Sequence, residues 1–196
     1  IMAIEISIPG IAFNNLTVYA PFFNWDNLPL GNYLQNFFPY PIFLENVTRI
    51  KAVYEMRYVV PSEKNVLYLA LSPGIGLVNF FDGKMVMGKT GISGEVGHIT
   101  LNINGPKCYC GNNGCFEIYC GENYILSNAQ KLLKEDRCEI LYDLVNNKNK
   151  PLNIETLFEA RNLGSIKVHR LLSTAAEYLG SALVSLYNLY DPDRII

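Results

Sequence analysis

The chain has 196 residues, of which 49% are hydrophobic and 17% charged, with a formal net charge of -2. That length suits one globular domain or two small lobes, and the hydrophobic content excludes a disordered tail. The slightly acidic balance argues against a nucleic-acid surface within these residues, and no apolar run reaches the roughly 20 residues a membrane span needs.

The amino end carries no basic stretch ahead of an apolar one, so no signal peptide is read there and a cytoplasmic protein with no membrane contact is expected. Segment 4–8 reads as a strand that lacks a recognisable beginning and stops at Pro9-Gly10. A helix is predicted over 28–38 with Pro29 in its first turn, then a buried strand over 40–44 and a helix over 48–57. Segment 65–71 is the clearest strand, and the glycine turn Ser72-Pro73-Gly74-Ile75-Gly76 follows it. Segments 77–81 and 84–87 are expected to pair as a hairpin around Asp82-Gly83. After a cysteine-rich loop, nearly everything from 123 onward reads as helix. Leu171, Leu172, Ala175, Ala176, Leu179, Ala182, Leu183 and Leu186 keep a helical period and form a core face. Tyr190-Asp191-Pro192-Asp193 stops that helix, and 194–196 reads as the start of another strand. Strands alternating with helices before a helical end predict an α/β fold with a helical lobe, and the truncated pattern at both ends predicts part of a longer chain.

The five cysteines are Cys108, Cys110, Cys115, Cys120 and Cys138. An odd number, clustered rather than spread, fits a reducing compartment and a bound metal better than a disulfide scaffold. With no signal peptide, the glycosylation patterns at Asn15 and Asn46 are read as chance matches. Cys108, Cys110 and Cys115, with His98 ten residues before Cys108, have the chemistry of a closed structural zinc site. Gly111 and Gly114 allow the backbone to bring Cys115 back to the same point. Cys120 and Cys138 read as plain buried cysteines, and His169 as a surface or packed histidine on a helix.

The run Gly94-Glu95-Val96-Gly97-His98, continued by Cys108-Tyr109-Cys110-Gly111-Asn112-Asn113-Gly114-Cys115-Phe116-Glu117, closely resembles the signature of the ROK family (repressors, open reading frames and sugar kinases). Further likeness lies at Ile8-Pro9-Gly10, at 24–30, at Leu44-Glu45-Asn46, at 65–76, at 175–180 and at Asp191-Pro192. The resemblance implies an actin-like, ribonuclease-H-like ATPase fold. On that frame 1–44 would be the remainder of a first α/β lobe. Residues 45–196 would be the second lobe, with a zinc loop at 94–117 and a helical part at 122–190. A DNA-binding or phosphate-binding part would lie outside this chain. The resemblance also implies sugar contacts from Asn46, Glu95, His98 and Glu117, with His98 giving one ring nitrogen to zinc and the other to a sugar hydroxyl. It further implies a homodimer or higher oligomer.

Two positions depart from the family's kinases. The residue after the motif asparagine, an aspartate base in those kinases, is Val47, which cannot accept a proton. Glu45, next door but pointing to the other face of a strand, is not promoted in its place. In the phosphate loop Pro73 removes an N–H and a hydroxyl, leaving Gly74 and Gly76 as a remnant, so ATP is not expected as a cofactor. The reading is a sugar-sensing domain of a ROK-type transcriptional regulator that reaches DNA only through a part outside this chain. The alternatives are a sugar kinase with weak or atypical activity and a vestigial partner without a small ligand. Which sugar is bound is left open.

Overall fold

The computed structural model describes residues 2–14, 16–20, 23–71, 74–135 and 138–196, the side chains of 16–18 excepted. They fall into two compact units, residues 1–69, 76–94 and 192–196 in one and residues 70–75 and 95–191 in the other.

The first unit is built on strands. Strand β1 (Ile4–Ile8) alternates isoleucine with polar residues and pairs in parallel with β5 (Ile42–Asn46), from Ile4 opposite Ile42 to Ile8 opposite Asn46. The predicted strand over 40–44 is thus displaced toward its C-terminal end. Pro41 has no N–H for the ladder, while its carbonyl accepts from Ile4 N at 2.8 Å, so the strand proper begins one residue later. A three-stranded antiparallel sheet of β2 (Ile11–Phe13), β3 (Leu16–Ala20) and β4 (Trp25–Leu28) lies between them in sequence. Because β4 takes residues up to Leu28, helix α1 spans only Leu30–Gln35, shorter than the predicted 28–38. Asn14, Asn24 and Asn27 all have positive φ, a conformation asparagine tolerates, and they mark the bends of this sheet.

Helix α2 (Val47–Tyr58) follows β5 without a linker. Strands β6 (Val66–Ala70), β7 (Gly76–Phe81), β8 (Lys84–Met85) and β9 (Arg194–Ile195) form one sheet in the order β8-β7-β6-β9. The expected hairpin is present. Asp82 and Gly83 have φ of 49° and 73°, the two positive values a two-residue turn of the mirror type needs. The strand read at 194–196 is β9, parallel to β6 and held also by Lys64 and Asn65 backbone N–H groups on Asp193 Oδ2. Ala52, Val60, Val66, Val78 and Phe80 close the core between α2 and this sheet.

The second unit is helical: α3 (Glu117–Cys120), α4 (Glu122–Lys134), α5 (Glu139–Tyr142), α6 (Ile154–Asn162) and α7 (Ile166–Tyr190), with a π-helical turn over Asp143–Asn147. Asn153 caps α6 by accepting from Thr156 N, and Ser165 caps α7 by accepting from Val168 N. Asp191, left-handed at φ 41°, ends α7, and Pro192 prevents its continuation. Ile125, Ala129, Leu141, Leu144, Leu157 and Val168 make the core of this bundle with Cys138. On α7 the expected core face is present at Ala175, Ala182 and Leu186, but Ala176 is exposed and lines a cavity of about 410 Å³ with Leu71, Phe158, Leu172 and Leu179. Cys120 and Cys138 are buried as read, and His169 is exposed on α7.

Leu157 has no exposed surface and sits at the centre of the bundle. Leu157→Ala is expected to cost about 2–5 kcal/mol of stability through lost burial and a residual cavity, read as a lowered urea midpoint of the far-UV signal.

Candidate functional site

Local geometry explains how the cysteine loop closes. Cys108 N donates to Asn112 O at 2.8 Å and Gly111 N to Cys108 O at 3.1 Å, which folds Cys108 and Cys110 onto one tight turn. Gly114, at φ 60°, then returns the chain: its N–H reaches Pro106 O at 2.8 Å, and its carbonyl accepts from Leu101 N at 2.8 Å. A Cβ there would overlap the Asn102 carbonyl, so only glycine fits. His98 comes from a single 3-10 turn, Val96–His98, closed by His98 N on Glu95 O at 3.1 Å.

The result is one cluster. The ligand atoms of His98, Cys108, Cys110 and Cys115 all lie within 4.8 Å of one another, a set that can hold a metal ion. Cys108 Sγ is 3.7 Å from His98 Nδ1, and Cys110 Sγ is 3.6 Å from Cys115 Sγ. A tetrahedron with metal–sulfur bonds near 2.3 Å has edges of about 3.8 Å, so these separations match a four-ligand shell. Burial pushes the Cys115 thiol up to about 12 and raises Cys108 as well. At Cys110 burial acts upward too, but hydrogen bonds from the Asn112 backbone and the neighbouring sulfurs outweigh it and lower that thiol. A cation held among them must displace protons to bind.

Glu117 opens α3 two residues beyond Cys115 and is 7% exposed. Its carboxylate accepts from Ile75 N at 3.1 Å, and a Cβ on Gly74 or Gly97 would stand 3.1 or 3.2 Å from Glu117 Oε2. The glycines are therefore what let the loop approach the carboxylate. Glu95 is half-buried at the start of the 3-10 turn. His98 Nε2, which the sequence reading leaves for a sugar hydroxyl, faces Tyr109 Oη at 3.1 Å.

In the first unit Asn46 does double duty. It is the last residue of β5 and the N-cap of α2, where its Oδ1 accepts from Thr48 N at 2.7 Å and Arg49 N at 3.1 Å, while Nδ2 donates to Gly10 O at 2.6 Å. Its acceptor is spent on the helix, and one Nδ2 hydrogen is left to offer a ligand. Val47 is the first residue of α2. Gly76 opens β7, with Thr48 near its Cα, and Ser72 and Pro73 lie outside the described residues.

Arg49 is a residue that spacing alone did not single out. It is 6% exposed, and its guanidinium donates to Ala12 O at 2.9 Å, to Gly91 O and to Glu45 Oε1 at 3.2 Å. Glu45 also accepts from Asn46 N at 2.7 Å. Arg49 thus ties β2, the end of β5 and the turn at Gly91 together, one helical turn after Asn46. A charged residue near the start of a helix, four after a glutamate, was the available signal.

The whole chain, residues 1–196, matches the ROK family, and it belongs to that family. The xylose repressor of Bacillus spizizenii is 31% identical over 198 residues, covering 100% of this chain and 47% of the repressor. A glucokinase of Halalkalibacterium halodurans is 28% identical over 203 residues, covering 100% of this chain and 60% of the enzyme. The crystal structure of a ROK family transcriptional regulator, a homologue of the E. coli Mlc protein, aligns with a TM-score of 0.84 at 26% identity, covering 99% of this chain and 48% of that one. The chain spans about half the length of the curated repressors it matches. Its mixed α/β architecture is the actin-like ATPase fold that the ROK regulators and sugar kinases share.

Replacing Arg49 takes the guanidinium away from the Ala12 and Gly91 carbonyls and from the partly buried Glu45 carboxylate. Arg49→Met is expected to destabilise by about 2–4 kcal/mol and to raise amide exchange around Gly91, measured by urea unfolding and hydrogen–deuterium exchange.

Proposed function

We propose that this chain is the sugar-sensing part of a ROK-type transcriptional regulator. The observation that carries the reading is Val47. An aliphatic side chain opens α2 where the family resemblance puts the base of a kinase, and no carboxylate at that position can take a proton from a sugar hydroxyl. Glu45 does not replace it, because its carboxylate is engaged by Arg49 and the Asn46 N–H. The likeness to a xylose repressor supports the same direction.

Asn46, Glu95, His98 and Glu117 are the residues we assign to the sugar, with the carboxylates accepting from its hydroxyls. Gly74 and Gly76 are read as the remnant of a phosphate loop, with ATP playing no part. The division of the chain at 44/45 into two family lobes belongs to the same proposal, as do a homo-oligomer, an intracellular location, and DNA contact through a part outside these residues. No helix among the described residues is long and apolar enough to cross a membrane. For a sugar to alter DNA binding it must favour one of two arrangements of the regulator over the other.

We assign zinc to the cluster of His98, Cys108, Cys110 and Cys115. Three thiolates and one imidazole are a common zinc set, and four protein ligands leave no open position for catalysis. Bound there, zinc supplies a rigid anchor for the loop that carries His98 and Glu117. Chelator-stripped protein is expected to take up about one equivalent of zinc and to release protons as it does so. Affinity should weaken as pH falls, because protons then compete for the raised thiols of Cys108 and Cys115. Fewer than about half an equivalent in freshly purified reduced protein would count against the assignment.

A kinase reading rests on the likeness to a glucokinase. Full-length, zinc-loaded protein assayed with ATP across pentoses, hexoses and amino sugars separates the two. The expected outcome is a sugar-dependent rise in melting temperature without ATP consumption. Sugar-dependent turnover at an enzyme-like rate would overturn the sensor reading, and the absence of any sugar effect would favour a vestigial partner.

A further inference from the structure

Of the four side chains in the cysteine–histidine cluster, Cys110 alone is exposed. Cys108 and Cys115 are 2% and 0% exposed, and His98 is half-buried. The backbone explains the difference. Cys108 N on Asn112 O and Gly111 N on Cys108 O close a turn that carries Cys110 at its tip. A Cβ on Gly111 would meet no atom of the described residues within 4 Å beyond its chain neighbours, so that tip stands in open space. Cys110 Sγ nevertheless lies 3.6 Å from the buried Cys115 Sγ. An accessible sulfur backed by a second one is the arrangement in which an oxidant reaches the first and the second resolves it.

The distances single out this pair. A disulfide places its sulfurs about 2.05 Å apart, so Cys110 and Cys115 must approach by about 1.5 Å, which side-chain rotation can supply. Gly111 and Gly114, at φ of 98° and 60°, let the chain between them bend. Cys108 Sγ faces His98 Nδ1 at 3.7 Å, and with one residue between Cys108 and Cys110 the short ring of a bridge there has little freedom to reach disulfide geometry. The remaining cysteines are held elsewhere. Cys120 donates to Ala175 O at 3.1 Å and Cys138 meets Ser165 Oγ at 3.0 Å, both in buried positions.

We propose that Cys110 and Cys115 are a peroxide-oxidisable pair whose closure into a disulfide expels the metal from the cluster, an inference that rests on the zinc assignment and deepens it. The Cys110 sulfur attacks hydrogen peroxide; an S–O bond forms as the O–O bond breaks, giving a sulfenic acid and one water. The Cys115 sulfur then attacks the Cys110 sulfur; the S–S bond forms, the S–O bond breaks and a second water leaves. The two sulfurs give up two electrons and the peroxide takes them, so two thiols and one peroxide become one disulfide and two waters. With a metal bound the sulfurs enter as thiolates, and solvent supplies the two protons. Afterwards His98 and Cys108 are the only donors left of the four, too few for a closed zinc shell. The base of the loop stays paired, because Phe116 N on Ile99 O at 2.9 Å involves no sulfur. Release therefore loosens residues 98–112 and leaves the helical bundle folded.

The test treats full-length, reduced, zinc-loaded protein with a modest excess of hydrogen peroxide beside a chromogenic zinc chelator. Absorbance follows zinc release, alkylation counts free thiols, and peptide mass mapping locates the bridge. The expected result is loss of about one equivalent of zinc per disulfide formed, with Cys110 and Cys115 lost to alkylation together and at the rate of zinc release. Cys120 and Cys138 should stay closed to alkylation until denaturant is added. Hydrogen–deuterium exchange should rise over 98–112 and not over α4 to α7, and a thiol reductant with added zinc should restore the starting state. Zinc retained through the treatment, with both thiols free, would overturn the pair and leave the zinc assignment intact. A bridge mapped to Cys108 and Cys110, or sulfinic acid at Cys110 with Cys115 still free, would overturn the pair as well. Reduced protein that takes up no zinc would overturn the zinc assignment and, with it, the expulsion of a metal, whether or not the bridge forms.

Discussion

Four side-chain atoms able to hold a metal ion, drawn from eighteen residues of chain, meet at one point in the second unit's loop. His98 and the three cysteines converge within 4.8 Å, although the segment joining them contains no helix or strand beyond one 3-10 turn and isolated bridges. Such a loop buries too little apolar surface to order itself, and its small cluster of Cys108, Cys115 and Ile118 includes two of the ligands. The site depends on that convergence. Glu95 starts the turn that presents His98, Tyr109 lies between two ligands, and Glu117 follows the last one by two residues. Each is placed by its distance along the chain from a cluster ligand.

The first unit is constrained differently. There Asn46 must serve the helix before it can serve a ligand, because a strand that runs directly into α2 leaves the first N–H groups of the helix without partners. Its Oδ1 satisfies two of them. Arg49, one turn on, is held by three acceptors from separate segments and behaves as a buried cross-brace. The segment that resembles a kinase motif thus has most of its polar groups committed to holding the fold. Val47 between them carries no group that can take up a proton.

Charge in the second unit follows the same economy. Glu117 is nearly buried, and a backbone N–H from Ile75 donates to its carboxylate. The loop glycines at 74 and 97 admit the carboxylate at a separation that any side chain would crowd.

Much of this was legible in the amino-acid sequence where the determinants are local. The cysteine spacing with its two glycines, the Asp82-Gly83 turn, the α7 stop at Asp191-Pro192 and the strand at 194–196 depend on residues within a few positions of one another, so pattern and turn chemistry define them. The antiparallel sheet β2-β3-β4 was not legible, because its strands are short, its bends use asparagine rather than an Asn-Gly signal, and its pairing comes from the fold. The same is true of Ala176, which keeps the period of a core face and yet lines a cavity. Tertiary structure alone decided that Glu117 meets Ile75 across 42 residues, that Arg49 reaches Ala12 and Gly91 across 37 and 42, and that Tyr109 turns its hydroxyl onto His98. Those contacts depend on how the chain returns to itself and on which donors burial leaves unsatisfied, and neither is a property of neighbouring residues.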